Sequence, residues 1–264
     1  MNANYLLTVF SAALIFHVAI SEKQRLILVS LDGFRWDFRN KTHTPHLDRL
    51  VKDGSTVEYV LNVFPTSTIP NHQSIVTGLY PENHEMINNI MFNRSDGTKF
   101  DYTQNNDPKW WGKALPVWVT NQEQGHVSAV IGWPGGAVPY NGKLPKHLMT
   151  DGVVNGTESI LKWERYGNKS LTKWQQNSTE SLIKWLKSDS DLNFAAIYFP
   201  EPDEVSHEHG PDSTTSKGSE AVRDAIQDAD DFVGNLLKRL EDEQLLESTN
   251  IIVMGKCIFL LGEP

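Results

Sequence analysis

The sequence predicts an α/β protein built on a mainly parallel central sheet with helices on both faces. Three observations predict it. Short continuous apolar runs, of the kind that suits strands buried on both faces, recur at 26–31, 193–199 and 250–254. Stretches with apolar residues at helical spacing lie between them, the longest at 217–246. Segments rich in Gly, Pro, Asn and Asp separate the two kinds. Strands alternating with helices build parallel sheets, in which ligands sit beyond the carboxyl ends of the strands.

In chain order, the run at 26–31 ends at Asp32-Gly33. Thr44-Pro45 pairs a helix N-cap with proline at the first helical position, predicting a helix through Leu47, Leu50 and Val51 that stops at Gly54. Residues 57–64 read as the next strand. A turn and cap at 65–70 then lead into a short helix over 71–77, closed by Gly78. Beyond a loop at 88–108, the pattern gives a helix at 110–122 and a strand at 126–131. The Gly- and Pro-rich stretch 132–157 reads as an irregular loop across the mouth of the sheet. A helix at 171–186, the strand at 193–199, the amphipathic helix at 217–246 and a buried strand opening at 250–254 complete the series.

With 264 residues and 39% hydrophobic content, the chain can bury a sizeable core. The balance of 24 Lys+Arg against 33 Asp+Glu, a net charge of −9, argues against binding a nucleic-acid polymer. The single cysteine, Cys257, excludes a disulfide scaffold and a cysteine-built zinc site. Residues 1–21 carry no Asp, Glu, Lys or Arg and read as a secretory signal cleaved after Ser21. The alternative, a membrane anchor, asks for about 20 predominantly apolar residues, and this stretch falls short, so no transmembrane span is expected. Asn40, Asn93, Asn155, Asn168 and Asn177 stand in Asn-x-Ser/Thr acceptor sites, which place surface loops in a secreted or lumenal glycoprotein.

Several residues could carry chemistry, each with a plainer alternative. Asp32, at the end of the first strand, would need a cation or several donors if buried, but Asp-Gly is also a common turn. Thr68 precedes a helix where backbone N–H groups converge on anions, or serves only as its cap. Asn89 carries the same ambiguity as an amide donor. Asp203 and His207, four apart after a strand, would face one way on a helical turn and suit Zn²⁺, or belong to a solvated acidic loop.

Taken together, the segments are specific: Leu28-Val29-Ser30-Leu31-Asp32-Gly33-Phe34-Arg35, Phe64-Pro65-Thr66-Ser67-Thr68-Ile69-Pro70-Asn71-His72, Thr77-Gly78-Leu79-Tyr80-Pro81-Glu82-Asn83-His84, Trp133-Pro134-Gly135, and Glu201-Pro202-Asp203 with His207 and Gly210-Pro211. This series resembles the ectonucleotide pyrophosphatase/phosphodiesterase family of the alkaline phosphatase superfamily, and is most similar to its short members without somatomedin-like modules. The resemblance implies an alkaline-phosphatase-like fold and two zinc ions. It implies Asp32 and Thr68 as ligands of one ion, with Thr68 also the nucleophile that forms a phosphothreonyl intermediate. Asp203 and His207 are implied for the other ion, and Asn89 with the Thr68 N–H for the phosphoryl oxygen. The implied substrate is a small phosphodiester or nucleotide, and a full-length form could be membrane-anchored. The Cys/Ser-x-Pro-x-Arg pattern of the sulfatases in the same superfamily is absent around Thr68.

The chain departs from the family pattern in three places. Where the last strand should lead into Ser/Thr-Asp-His-Gly-Met and complete the first zinc site, Lys256 and Cys257 stand in place of Asp and His. Residues 22–254 are therefore expected to be the amino-terminal part of a catalytic domain, 255–264 a divergent tail, and the chain a carboxyl-terminally truncated form with impaired activity and doubtful zinc occupancy. The alternative is a non-catalytic glycoprotein or decoy isoform. Ile69 follows Thr68 where nucleotide-hydrolysing relatives carry an aromatic, and Asp151 falls near a tyrosine position, weakening any nucleobase preference. Glu85 and Ser206 replace glycines.

Overall fold

The computed structural model describes residues 24–102, 106–150 and 168–256, with the side chains of the helix that starts at Asn168 described from Trp174 onward. The expected signal at 1–21, Asn155, Asp151, Cys257 and most of the expected tail lie outside the described residues.

Five strands form one parallel sheet: β1 (Arg25–Asp32), β4 (Val127–Ile131), β5 (His147–Met149), β6 (Leu192–Phe199) and β7 (Thr249–Lys256). Their order is β5-β4-β6-β1-β7. A separate hairpin pairs β2 (Ile90–Phe92) with β3 (Lys99–Asp101).

The period of two along each strand sends successive side chains to opposite faces, and both faces are covered. Ile27, Val29 and Leu31 of β1 pack against Leu182 and Ile183 of α6 (Asn168–Ser188) and Phe232, Val233 and Leu236 of α8 (Ser216–Asp242). Leu28, Val130 and Ala196 face the other way, toward Ile69 and Val76 of α2 (Thr68–Thr77) and Trp118 and Val119 of α5 (Val117–Glu123). The expected α/β class with helices on both faces is the class observed.

Several elements differ from expectation. Residues 57–64 form no strand, and Val57, Tyr59, Val60, Leu61 and Phe64 are exposed. Their apolar composition meets no strand partner among the described residues, and part of the segment lines a groove with Ile251 and Val253 of β7. The helix expected at 110–122 is broken into α4 (Pro108–Trp111) and α5, because Pro116 has no N–H to give and disfavours helical backbone at Leu115. The loops expected at 88–108 and 132–157 contain the β2–β3 hairpin and β5. β7 is not buried on both faces: it is an edge strand among the described residues, half exposed, and it continues to Lys256. α8 ends at Asp242, earlier than expected, where Gln244 takes a left-handed φ of 57°.

Of the glycosylation acceptors, Asn40 is exposed at the end of a 3-10 turn (Phe38–Asn40) and Asn93 sits in the hairpin loop. Asn177 is exposed but lies on α6, not on the loop expected for it, and Asn168 is the first residue of the same helix. Among the described residues no helix is long and apolar enough to cross a membrane.

The first helix, α1 (Pro45–Asp53), begins at Pro45 as expected, but Thr44 does not cap it: its buried hydroxyl makes no capping bond. Asp230 of α8 does so instead, accepting from the His46 N–H at 3.2 Å and the Leu47 N–H at 2.8 Å. Removing a carboxylate that satisfies two helix N-terminal donors should be costly. Asp230→Ala is expected to lower stability by about 1–2 kcal/mol in urea unfolding, while Thr44→Ala, at a hydroxyl that caps nothing, should cost clearly less.

Candidate active site

Asp32 lies at the carboxyl end of β1 and is 1% exposed, so its carboxylate depends on protein partners. Four are in place. Oδ1 accepts from the Gly33 N–H at 3.0 Å and faces the Lys256 ammonium at 3.4 Å. Oδ2 accepts from the Tyr198 hydroxyl at 2.6 Å and faces the Thr68 hydroxyl at 3.5 Å. The Lys256 Nζ also donates to Thr68 Oγ1 at 3.1 Å, which closes a triangle of carboxylate, hydroxyl and ammonium. Lys256 arrives there because β7 pairs with β1 in parallel register, Asp32 opposite Lys256.

Thr68 is the first residue of α2, with Ser67 at the cap position, so it is not the cap itself. A first helical N–H has no intrahelical acceptor, which leaves that of Thr68 available to an anion. The residues after it fix the helix. His72 is buried and bridges Ser30 Oγ (Nε2, 2.8 Å) and the Thr68 carbonyl (Nδ1, 2.7 Å). A carbonyl can only accept, so Nδ1 carries the proton and Nε2 accepts from Ser30. The ring packs edge-on against Trp133 and Tyr198. Asn71 ties the preceding loop down, donating to the Ser67 carbonyl and Thr66 Oγ1 while accepting from the Val63 N–H.

Asn89 reaches the same helix end. Its Oδ1 accepts from the Ile69 N–H and from the Ser67 hydroxyl, both at 2.9 Å. The amide oxygen thus holds α2, and Nδ2 is the part of Asn89 with hydrogens to give. Ile69 itself is 1% exposed and belongs to the core, so it offers no surface on which a base could stack.

Asp203 opens α7 (Asp203–His209), and His207 follows one turn later with Nε2 3.4 Å from Asp203 Oδ2. The expected helical turn is present. Asp203 comes close to Asp32 because of Gly33, whose φ is +70° and whose hydrogen points at the Asp203 backbone: a Cβ there would lie 2.4 Å from the Asp203 Cα. Burial pushes the Asp203 pKa up, and the Asp32 charge adds to this against the pull of His207. His207 is raised by its bond to Asp203.

Whether these residues suit two zinc ions can be read from the contacts. At the Asp32–Thr68 corner they do not, because the Lys256 ammonium stands against both ligands and would repel a divalent ion. At Asp203 the buried Oδ1 has no hydrogen-bond partner among the described residues, as a cation ligand would, but only His207 joins it. One group of three metal-ligand side chains does converge among the described residues, His46, Asp230 and Asp231. It is not at this site, and both oxygens of its buried member Asp230 cap α1.

The profile of the type I phosphodiesterase / nucleotide pyrophosphatase family matches residues 26–256. The chain belongs to this family. It is 38% identical over 230 residues to a Bos taurus bis(5'-adenosyl)-triphosphatase, covering 87% of this chain and 46% of the relative. It is 34% identical over 263 residues to ectonucleotide pyrophosphatase/phosphodiesterase family member 5 of Homo sapiens, covering 96% of this chain and 49% of the relative. Among solved structures, an inactive threonine-to-alanine variant of the murine member 5, in complex with AMP, superposes with a TM-score of 0.73. It is 32% identical and covers 88% of this chain and 56% of that one. The chain thus spans about half the length of the curated relatives it matches.

Within the family scaffold, Asp32, Thr68 and Lys256 touch, Asn89 joins them through α2, and the Asp203–His207 pair adjoins through Gly33. Two residues escaped sequence reasoning. Tyr198 offered one signal, a polar-tipped aromatic near the end of a buried strand. Ser30 offered none, because its partner His72 is 42 residues away. Glu85, in place of a glycine, holds a left-handed φ of 62° at the end of α3 (Pro81–His84), and the Ser206 hydroxyl is buried with no hydrogen-bond partner among the described residues.

Two tests follow from this geometry. Gly33→Ala should displace Asp203 and lower stability by about 2–3 kcal/mol in denaturant unfolding. Burial lowers the His72 pKa from 6.5 to about 4, so the native state stays unprotonated there while the unfolded chain takes up the proton near 6.5. Unfolding is therefore favoured as pH falls through that window. This one group should remove about 3 kcal/mol between pH 7 and 4, visible as a shallower pH dependence of stability in His72→Gln.

Proposed function

We propose that this chain is the nucleophile-bearing part of a secreted phosphodiesterase/nucleotide pyrophosphatase domain that acts on small nucleotide or related phosphodiester substrates, and that its own turnover is impaired. Thr68 is the nucleophile, and its N–H together with Asn89 Nδ2 receives the phosphoryl oxygen, as an oxyanion hole would. The position of Thr68 at the start of α2, with Asn89 bound to the next N–H, supports this reading. So do the names of the similar proteins, a triphosphatase of a bis-adenosyl substrate and an AMP complex of a threonine-to-alanine variant described as inactive.

The observation that carries the impairment is the Lys256 ammonium 3.1 Å from Thr68 Oγ1. A metal at this corner, as the resemblance implies, would be held by Asp32 and Thr68 and would activate the hydroxyl; here the ammonium stands against the same oxygen and donates a hydrogen to it. An N–H on that lone pair makes the oxygen a poorer nucleophile, not a better one. The absence of an aromatic at Ile69 points to substrate recognition centred on the phosphoryl group more than on a base.

The reading is tested with the secreted chain and the p-nitrophenyl ester of a nucleoside monophosphate, with zinc present. Wild type is expected to release p-nitrophenol no faster than Thr68→Ala. Turnover that Thr68→Ala abolishes would overturn the impairment. Lys256→Asp combined with Cys257→His should bring turnover at least about tenfold above that of the same double variant carrying Thr68→Ala, by restoring the two side chains that the family pattern carries there.

A further inference from the structure

We propose that the Lys256 ammonium is the resident cation of the Asp32–Thr68 corner, standing in for a divalent metal ion and making this half of the site metal-independent. The inference rests on reading Asp32 and Thr68 as the family's metal corner, but not on any catalytic activity.

Three observations converge on it. First, the side chains of Asp32 and Lys256 are 1% and 2% exposed, and a carboxylate so buried is strongly destabilising without a cation or a full set of donors. Second, the ammonium meets both groups implied as ligands, Asp32 Oδ1 at 3.4 Å and Thr68 Oγ1 at 3.1 Å, so it holds the position from which an ion would bind them. Third, the remaining capacity of the carboxylate is already taken by the Gly33 N–H and the Tyr198 hydroxyl. An ion entering here would have to expel the ammonium. Strand register keeps the Lys256 backbone opposite Asp32, so an expelled ammonium would remain close by and compete for the carboxylate.

Charge supports the same assignment. The cationic neighbour Arg35 is committed elsewhere, to Asp37 and Asp212. Among the described residues Lys256 is the one ammonium or guanidinium in a salt bridge with Asp32. A divalent ion would bring stronger charge, but only with three or four ligands around it. A lysine supplies one charge at no cost in ligands, since its own chain delivers it.

Thermal unfolding of the full chain with zinc or with EDTA tests this, in a His207→Ala background so that the Asp203 side does not report. The Tm of the Lys256 form should be the same within about 1 °C in zinc and in EDTA. Lys256→Asp should fall by about 10 °C in EDTA and recover several degrees with zinc, since breaking a buried pair leaves two carboxylates that only a metal can reconcile. A zinc-dependent rise in the Lys256 form, or a Lys256→Asp form as stable in EDTA as its parent, would overturn the proposal. Should Lys256→Asp not fold in EDTA, Lys256→Arg decides. Retained charge should keep its Tm indifferent to zinc, and zinc dependence there overturns the proposal. Neither readout depends on turnover, so failure of the hydrolase reading leaves this result interpretable, and the reverse.

Discussion

A carboxylate buried at the end of a central strand is the constraint on which this site is built. Asp32 sits where β1 runs out between β6 and β7, away from water, and its charge must be met by neighbours from each side. β6 contributes Tyr198, β7 contributes Lys256, α2 contributes Thr68, and the turn contributes its own N–H. The sheet order is therefore also the arrangement of the site. Moving any one of these elements would leave a charge or a polar atom unmet in a low-dielectric interior, which is expensive.

The same economy holds the nucleophile candidate. α2 is not merely capped: its first turn is fastened to β1 through Ser30 and His72, to the preceding loop through Asn71, and to the Asn89 loop through Ile69. Trp133 and Tyr198 wall the imidazole, so the Trp-Pro-Gly segment serves the site indirectly, through His72. The groove beside β7 is lined by none of Asp32, Thr68, Asp203 or His207. The candidate site lies at the strand ends, as expected for a parallel α/β sheet.

Family membership and local geometry meet at Lys256. The family profile places the chain among the type I phosphodiesterases and nucleotide pyrophosphatases, while the parallel pairing of β1 and β7 puts an ammonium against Asp32 and Thr68, the corner proposed for a metal. A like-charge conflict of that kind is decided by distance, and at 3.4 Å and 3.1 Å lysine and a divalent ion exclude one another.

Much was legible in the sequence because it is written in short periods. The apolar runs of β1 and β6, the spacing of α8 and the Asp203–His207 turn are local, set by neighbours two to four residues apart, and each family motif is a short contiguous segment. The failures were non-local. Residues 57–64 had strand composition but pair with no strand among the described residues, Thr44 looked like a cap that Asp230 had already supplied, and β7 read as buried although among the described residues one of its edges is unpaired. By itself the sequence determined the α/β class, the family and the identities of Asp32, Thr68, Asn89, Asp203 and His207 as candidates. Only the tertiary structure decided that Gly33 brings Asp203 against the Asp32 turn, that Tyr198 completes the carboxylate's partners, and that Lys256, 224 residues from Asp32, lies against it. The reason is physical: strand register and backbone close approach depend on how distant segments pack, and no local period records them.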